Sequence, residues 1–178
     1  DVAGEQWSMD KVNKGELTPM FFGSAMTNFG VRGFLEEYLR LAPAPQPRMS
    51  SDGLISPDDE NFSGFIFKIQ ANMNPAHHDR LSFIRICSGK FERGMSVYHM
   101  QGGKAVKLSQ PQQFLAQDRQ IIDTAYPGDI VGLFDPGIFG IGDTLCMPSH
   151  KFKFADFPVF PPERFARVSA KDTMKRKQ

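Results

Sequence analysis

The stretch DRLSFIRICSGKFERGMSVYHM, residues 79–100, decides the fold class because it holds two apolar runs separated by a glycine-bracketed turn. Residues 81–87 and 95–100 are short and rich in β-branched, aromatic and other apolar side chains, and Gly89 and Gly94 flank the turn. Runs of this length between glycines predict antiparallel strands joined by a hairpin.

The same signals continue on both sides of this stretch. Upstream, Phe65, Phe67 and Ile69 alternate with other residues and are predicted to share one face of a strand. Downstream, further strands are expected at 105–108, 130–134 and 144–147, each entered through a glycine-containing turn. Several short strands at this spacing, with no helical pattern between them, predict a small closed or sandwich-like β domain.

The first 44 residues follow a different pattern. Residues 17–22, LTPMFF, form an apolar run that predicts a strand, and Val31, Leu35, Tyr38 and Leu39 lie at helical spacing. The sequence therefore predicts one strand, a loop and one helix, which is a single α/β unit without neighbours.

Proline-rich and polar residues separate this unit from the β domain. Residues 42–47, APAPQP, carry proline at alternate positions, which removes amide donors and favours an extended spacer. The expected division is an α/β unit over 1–44, a linker over 45–61, a β domain over 62–150 and the start of a further domain over 151–178.

Composition excludes several classes of function. The chain of 178 residues has 21 Lys and Arg against 20 Asp and Glu, so its net charge of +1 provides no global attraction for polyanions. Two cysteines without close spacing argue against a disulfide framework and a structural zinc site. No apolar run is long enough for a membrane span, and a cytoplasmic location without membrane partners is expected.

Motifs of complete catalytic sites are absent from the sequence. It contains no GxxxxGK[ST] phosphate loop, no GxSxG elbow and no HExxH. His77 and His78 are adjacent, but we interpret them as part of a solvated polar loop because no second ligand cluster has compatible spacing. No catalytic residue and no metal ligand is assigned.

Residues 23–31, GSAMTNFGV, are the most informative candidate site. They lie between the predicted strand and the predicted helix, where ligands bind in open α/β sheets because free backbone amides and a helix N-terminus meet there. The alternative is a capped helix start without ligand, with Asn28 or Thr27 as the N-cap. The segment alone leaves both interpretations open.

A family resemblance favours the first interpretation. The strings TPMFFGSAMTNFGV (18–31) and LAPAPQPR (41–48) are similar to the end of the GTPase domain in translational GTPases. In that family this loop packs on guanine and supplies a backbone amide to its exocyclic oxygen. The resemblance implies that Ser24 and Ala25 contact guanine, with Met26 as a neighbour.

The β domain resembles domain two of the same superfamily. The matching segments are FKIQAN (67–72), YPGDIVGL (126–133) and IGDTL (141–145), and QFLAQDRQ (113–120) is typical of its GTP-dependent release factors. The implied fold is mainly β: a translation-factor barrel preceded by the last strand-helix unit of a GTPase domain and followed by the start of a third α/β domain. Residues 134–139 depart from the histidine-bearing turn expected there.

The resemblance also implies a function for the whole protein. It would bind GTP or GDP with Mg²⁺, hydrolyse GTP on the ribosome, and promote departure of class one release factors at translation termination. The barrel would pack on its own GTPase and third domains and touch rRNA on the small subunit. This chain itself is expected to hold no cofactor and to be inactive.

Four cations near two predicted hairpin turns are candidates for rRNA contact: Lys90, Arg93, Lys104 and Lys107. Long cationic side chains there could reach phosphates, but charged hairpin tips are also common without a ligand. Two other functions stay open, namely the barrel of an elongation-factor-type GTPase and a stand-alone RNA- or protein-binding barrel.

Overall fold

The structure is a computed structural model that describes residues 6–71, 80–109, 111–115, 118–158, 161–167 and 169, without the side chains of 112–120. The described residues form two helices, α1 (Met9–Lys14) and α2 (Val31–Leu41). The strands are β1 (Arg48–Ser50), β2 (Gly53–Ile55), β3 (Ser63–Ala71), β4 (Arg80–Ser88), β5 (Phe91–Glu92), β6 (Ser96–His99), β7 (Lys104–Lys107), β8 (Gln112–Leu115), β9 (Asp118–Ile121), β10 (Thr124–Ala125), β11 (Ile130–Phe134) and β12 (Thr144–Cys146).

Eight strands form one curled antiparallel sheet in the order β7-β6-β12-β3-β4-β11-β8-β9. Two short ladders, β1-β2 and β5-β10, complete the strand pairing of the described residues. The chain is therefore mainly β, as predicted, and the sheet is curled into a half-barrel. The predicted strands at 105–108, 130–134 and 144–147 correspond to β7, β11 and β12.

The interior of the curl is a single apolar core. Ile66, Ile84, Val131 and Leu145 come from four neighbouring strands and are fully buried within it or nearly so. Phe91 from β5 also reaches this cluster. Each such side chain contributes roughly 1.5–3 kcal/mol when it is buried, so this core is the main source of the domain's stability.

A β-bulge changes the predicted alternation in β3. Ile66 is opposite Ile84 and Lys68 is opposite Phe83, so Phe67 has no partner of its own across the β3-β4 ladder. Because of this extra residue, the side chains that follow it in β3 point to the opposite face of the sheet from the one that strict alternation predicts. As a result Ile69 packs against the interior core, and the expectation that it shares a face with Phe65 and Phe67 is wrong.

A second apolar layer covers the outer face of the sheet. Phe65 and Cys146 point outward and pack with Ile55, Phe152 and Phe154. Ile55 belongs to the β1-β2 hairpin, which bridges to the downstream segment through Ser50 and Phe154. Residues 48–55 were expected to be polar linker. They are instead a hairpin packed on the sheet, because Ile55 joins this apolar layer and Ser50 pairs with Phe154. The domain boundaries themselves stay predictions.

The N-terminal segment differs from expectation in one element and agrees in another. The helix α2 contains the four residues whose helical spacing predicted it, but residues 17–22 form no strand, because no strand among the described residues lies beside them to complete a ladder. A short helix α1 ends at Gly15, whose left-handed φ of 74° closes it. Asn13 and Lys14 are the last residues of this helix, and Gly15 and Glu16 form the turn that follows it.

A buried carboxylate fixes the turn after β11. One oxygen of Asp135 accepts hydrogen bonds from the amides of Gly137 and Ile138, both at 2.8 Å. Its other oxygen accepts from Ser82 Oγ at 2.8 Å and pairs with Arg80 Nε at 2.8 Å. The side chain of Asp135 is fully buried, so these contacts replace its hydration.

Two opposing effects act on the pKa of Asp135. Burial raises the pKa of this carboxyl, but the hydrogen bonds from the Ser82 hydroxyl and from the amides of Ile138, Gly137 and Phe139 together lower it by more, so the pKa lies below its ordinary value. A carboxyl with a depressed folded-state pKa stabilises the fold above its unfolded-state pKa, and that contribution is lost as the pH falls through the folded-state pKa.

We predict that Asp135→Asn lowers the free energy of unfolding at pH 7 by roughly 2–4 kcal/mol, because it leaves Arg80 without a counter-charge and places an amide donor among donors. Urea denaturation at pH 7 and at about pH 3 measures this, and the variant should lose less stability between the two than the native chain. The control is Asp123→Asn, which removes an exposed pair with Arg93 at 3.2 Å and should cost under about 1 kcal/mol. Equal costs for both variants would contradict the role of Asp135.

Candidate functional site

The predicted guanine loop is a tight turn between residues 23 and 30. The amide of Ser24 donates to the carbonyl of Phe29 at 2.9 Å, and the four residues between them form the turn. Asn28 has a positive φ of 57°, which asparagine tolerates better than most residues. The turn therefore returns the chain to its own start just before α2.

Glycine is required where the two arms of this turn meet. Gly30 has a φ of 71°, and a Cβ atom there would lie 2.7 Å from the carbonyl oxygen of Phe22. Gly30 is also the N-cap of α2, which has no side-chain cap. The alternative N-caps Asn28 and Thr27 are therefore wrong, because the close approach of the two arms places glycine at that position.

The backbone at the tip of the turn is free to meet a ligand. No hydrogen bond from the amides of Ala25 or Met26 is present within the described part of the chain. Ala25 is exposed, and Met26 is 97% exposed, while Ser24 is half-buried. The three predicted residues thus lie together, and the two amides at Ala25 and Met26 are unpaired within the described part of the chain.

A cavity of about 370 Å³ lies beside the turn and is lined by Pro19, Ser24, Ala25 and Phe34, among others. Next to it, Phe21 packs edge-on against Phe34 with ring centroids 5.5 Å apart. Phe22, which also lines the cavity, is nevertheless 84% exposed. This unit presents an apolar surface that the described residues do not cover.

The four predicted rRNA cations fall into two groups. Lys90 pairs with Glu92 at 2.8 Å and Arg93 pairs with Asp123 at 3.2 Å, so these two charges are partly neutralised. Both pairs are exposed and contribute little to stability.

Lys104 and Lys107 have no ion pair among the described residues. They are the first and last residues of the edge strand β7, so their Cα atoms are about 10 Å apart. Both are exposed, and Lys107 comes close to Gly94 in the turn that follows Arg93. The structure therefore brings Arg93 and Lys107 to one corner and leaves Lys104 at the other end of the strand.

Two polar arrangements were not found by sequence reasoning. His99, 2% exposed, pairs through Nε2 with Asp143 Oδ2 at 2.6 Å, and the same oxygen accepts from the Gly140 amide at 2.6 Å. The other is the Asp135 cluster, for which the Asp-Pro-Gly sequence at 135–137 was a usable turn signal. Both fix turns: the Asp135 carboxylate binds the amides of the turn after β11, and Asp143 binds the Gly140 amide.

The described residues contain no group of three or more His, Cys, Asp or Glu side chains that could hold a metal ion. His77 and His78 lie outside the described residues. Burial raises the pKa of the Cys87 thiol to about 11, and Cys87 packs in the outer apolar layer as a small hydrophobe. No helix in the described ranges is both long and apolar enough to cross a membrane.

Comparison with known proteins identifies the family. The family model of elongation factor G domain 2 matches residues 61–148, which span β3 to β12. Peptide chain release factor 3 of Symbiobacterium thermophilum is 61% identical over 177 residues, which is 99% of this chain and 33% of that protein. The chain belongs to the peptide chain release factor 3 family.

Other members of the release factor 3 family agree with this assignment. The protein of that name from Listeria welshimeri is 54% identical over 99% of this chain, and the one from Ligilactobacillus salivarius is 53% identical over 98%. The chain spans about a third of the length of these curated relatives. The similarity extends through the turn at 23–30 as well as the barrel, as the family resemblance implied.

We predict that the 178-residue chain neither binds GTP below millimolar concentration nor hydrolyses it. Most affinity in such sites comes from amides and a lysine around the phosphates, and the chain has no GxxxxGK[ST] sequence to supply them. One or two hydrogen bonds at roughly 1 kcal/mol each do not offset about 4 kcal/mol or more of lost translational and rotational freedom. Calorimetric titration with GTP and Mg²⁺ checks this, and a saturable micromolar isotherm would contradict it.

Proposed function

We propose that this chain is part of a GTP-dependent translation termination factor that promotes dissociation of class one release factors from the ribosome. Similarity to proteins named peptide chain release factor 3 over 98–99% of the chain is the observation that carries the proposal. The barrel acts as an adaptor that contacts the small ribosomal subunit and does no chemistry itself. The proposed location is the cytoplasm, without a membrane partner.

Within the whole protein, the turn at 23–30 forms one rim of the guanine pocket. Ser24, Ala25 and Met26 fit this role because the amides of the last two are unpaired and the turn precedes α2 directly. Unpaired amides are suited to a guanine oxygen, which accepts hydrogen bonds. GTP or GDP with Mg²⁺ is the proposed ligand of the whole protein, and these residues orient the base.

The exposed apolar face of α2 supports a position inside a larger domain. Leu35, Tyr38 and Leu39 are 52%, 56% and 80% exposed, and they lie on the same side of the helix. A helix normally buries such a face against a sheet. We propose that the rest of a GTPase domain covers it, which argues against a stand-alone barrel with a helical arm.

For the barrel, we propose that Lys104 and Lys107 contribute more to rRNA contact than Lys90 and Arg93. The first two carry no ion pair among the described residues, whereas the others are already paired with Glu92 and Asp123. A phosphate must displace these carboxylates before it can pair with Lys90 or Arg93. The unpaired lysines need no such exchange.

An elongation-factor-type GTPase is the second candidate, favoured by the family model that matches the barrel. The two candidates predict different outcomes on the ribosome. A termination factor accelerates the loss of a class one release factor, whereas an elongation factor acts during peptide synthesis. The rate at which a bound release factor leaves the ribosome therefore distinguishes them.

We predict that, in the full-length protein, replacing Lys104 and Lys107 by Ala weakens ribosome binding and slows GTP-dependent departure of a labelled class one release factor. The salt dependence of binding should flatten by roughly 0.7–0.9 in log–log slope for each phosphate that the variant no longer neutralises. The matched control replaces Lys90 and Arg93 by Ala, which removes the same charge but should have a smaller effect.

Equal effects of the two double variants would contradict the assigned roles of the cations. A native full-length protein that binds ribosomes yet never accelerates departure of the release factor would contradict the proposed function. The two failures are therefore distinguishable.

A further inference from the structure

A groove of about 590 Å³ runs along the outer face of the sheet, between β3, β4 and the proline-rich segment at 43–47. Its lining includes Pro45, Arg48, Phe65, Arg85 and Phe157. This volume lies within the roughly 300–1,000 Å³ that is usual for binding sites. The groove is separate from the guanine turn and from Lys104 and Lys107, which do not line it.

The wall of the groove is held in place by contact with the barrel. The Gly128 amide donates to the carbonyl of Ile86 at 2.9 Å, which fixes the turn before β11. Gly128 has a φ of 96°, and a Cβ atom there would lie 2.8 Å from Pro45 Cγ. The proline-rich segment therefore lies directly on this turn, and the groove beneath it is preformed.

Two arginines line this groove without a carboxylate partner. Arg48 and Arg85 have no ion pair among the described residues, and no acidic side chain in that part of the chain lines the groove. The guanidinium of Arg48 lies 4.0 Å from the centroid of the Phe65 ring, a cation–π contact that fixes its position. Arg48 Nε is buried and has no hydrogen-bond partner among the described residues. An unpaired buried donor is costly, so a ligand acceptor that reached Arg48 Nε would stabilise this site.

Cys87 lines the same groove as the two arginines and does not compensate their charges. Burial raises the pKa of this thiol to about 11, while the charges of Arg48 and Arg85 act in the opposite direction. The thiol is therefore neutral near pH 7. The two positive charges face a recess whose other lining is largely apolar, including Phe67 and Ile130.

We propose that this groove binds an acidic segment of a partner protein in extended conformation. Two carboxylates of the segment pair with Arg48 and Arg85, and an apolar side chain between them packs on Phe67, Ile130 and Phe157. Arginine is suited to carboxylates because its planar fork makes two parallel hydrogen bonds. Such a segment neutralises the positive charge of the groove and covers its apolar lining at the same time.

A peptide fits these features better than RNA. The face of Phe65 that could stack a base is already occupied by Arg48, and single-stranded RNA sites usually offer such free aromatic faces. Of the two cations only Arg85 is exposed, whereas a phosphate chain is usually held by several exposed cations. An extended acidic peptide needs only a groove with two fixed guanidinium groups.

The test measures fluorescence anisotropy of a labelled acidic hexapeptide, Glu-Phe-Glu-Glu-Leu-Glu, with the 178-residue chain. Arg85→Gln should weaken binding by about tenfold or more, since a charged hydrogen-bonded pair is removed. Arg85 is exposed, so the variant should fold, which its melting temperature checks. The matched control, Arg32→Gln, removes one charge from α2 and should change affinity less than about twofold, because Arg32 does not line the groove and exposed charges outside a site are largely screened.

A peptide with Lys in place of Glu and a labelled hexauridylate are the comparison probes. Neither should show binding that depends on Arg85. In the native chain, amide chemical shifts of Cys87 and Gly128 should move on titration with the acidic peptide, which tests the site without any substitution. Absence of binding, equal binding by Arg85→Gln and native chain, shifts confined to other regions, or Arg85-dependent binding of hexauridylate would each overturn the proposal.

Discussion

Burial of both faces of the same strands is the constraint on which the rest of the structure depends. In β3, Phe65 points outward at 5% exposure while Ile66 points inward at 0%, and in β12 Cys146 and Leu145 do the same at 0% each. A sheet with one solvated face would show strict alternation of apolar and polar residues. These strands do not, so another layer must cover the outside.

The segments that cover the outer face also shape the surface available to ligands. Ile55 from the β1-β2 hairpin and Phe152 and Phe154 from the downstream segment fill the outer layer. Arg48, at the start of that hairpin, is thereby placed over Phe65, and the chain before it runs across the turn at Gly128. The position of the proline-rich wall therefore follows from packing of the outer layer. The α2 unit has no such cover among the described residues and leaves its apolar side exposed.

Sequence patterns predicted the elements whose signals are local. The presence of α2 follows from helical spacing, and that of β4, β6 and β11 follows from apolar runs between glycines. The turn at 23–30 was found from its position and its family resemblance, and the structure adds unpaired amides at Ala25 and Met26 within the described part of the chain.

Features that depend on tertiary contacts were not predicted. The bulge at Phe67 is set by the pairing of β3 with β4, which periodicity within β3 cannot reveal. The β1-β2 hairpin has the composition of a linker and is fixed by packing against residues about 100 positions away. The groove arginines carry no motif, because Arg48 and Arg85 meet only in the folded chain.

The most direct test of this account compares the thermal unfolding of two fragments, residues 48–158 and residues 61–147. The shorter fragment keeps the whole interior core but lacks Ile55, Phe152 and Phe154 from the outer layer. Removal of three buried side chains, each contributing roughly 1.5–3 kcal/mol, predicts a melting temperature lower by roughly 10 °C or more. The longer fragment should melt in one cooperative transition. Equal melting temperatures would show that the interior core suffices and that the flanking segments do not belong to the folded unit.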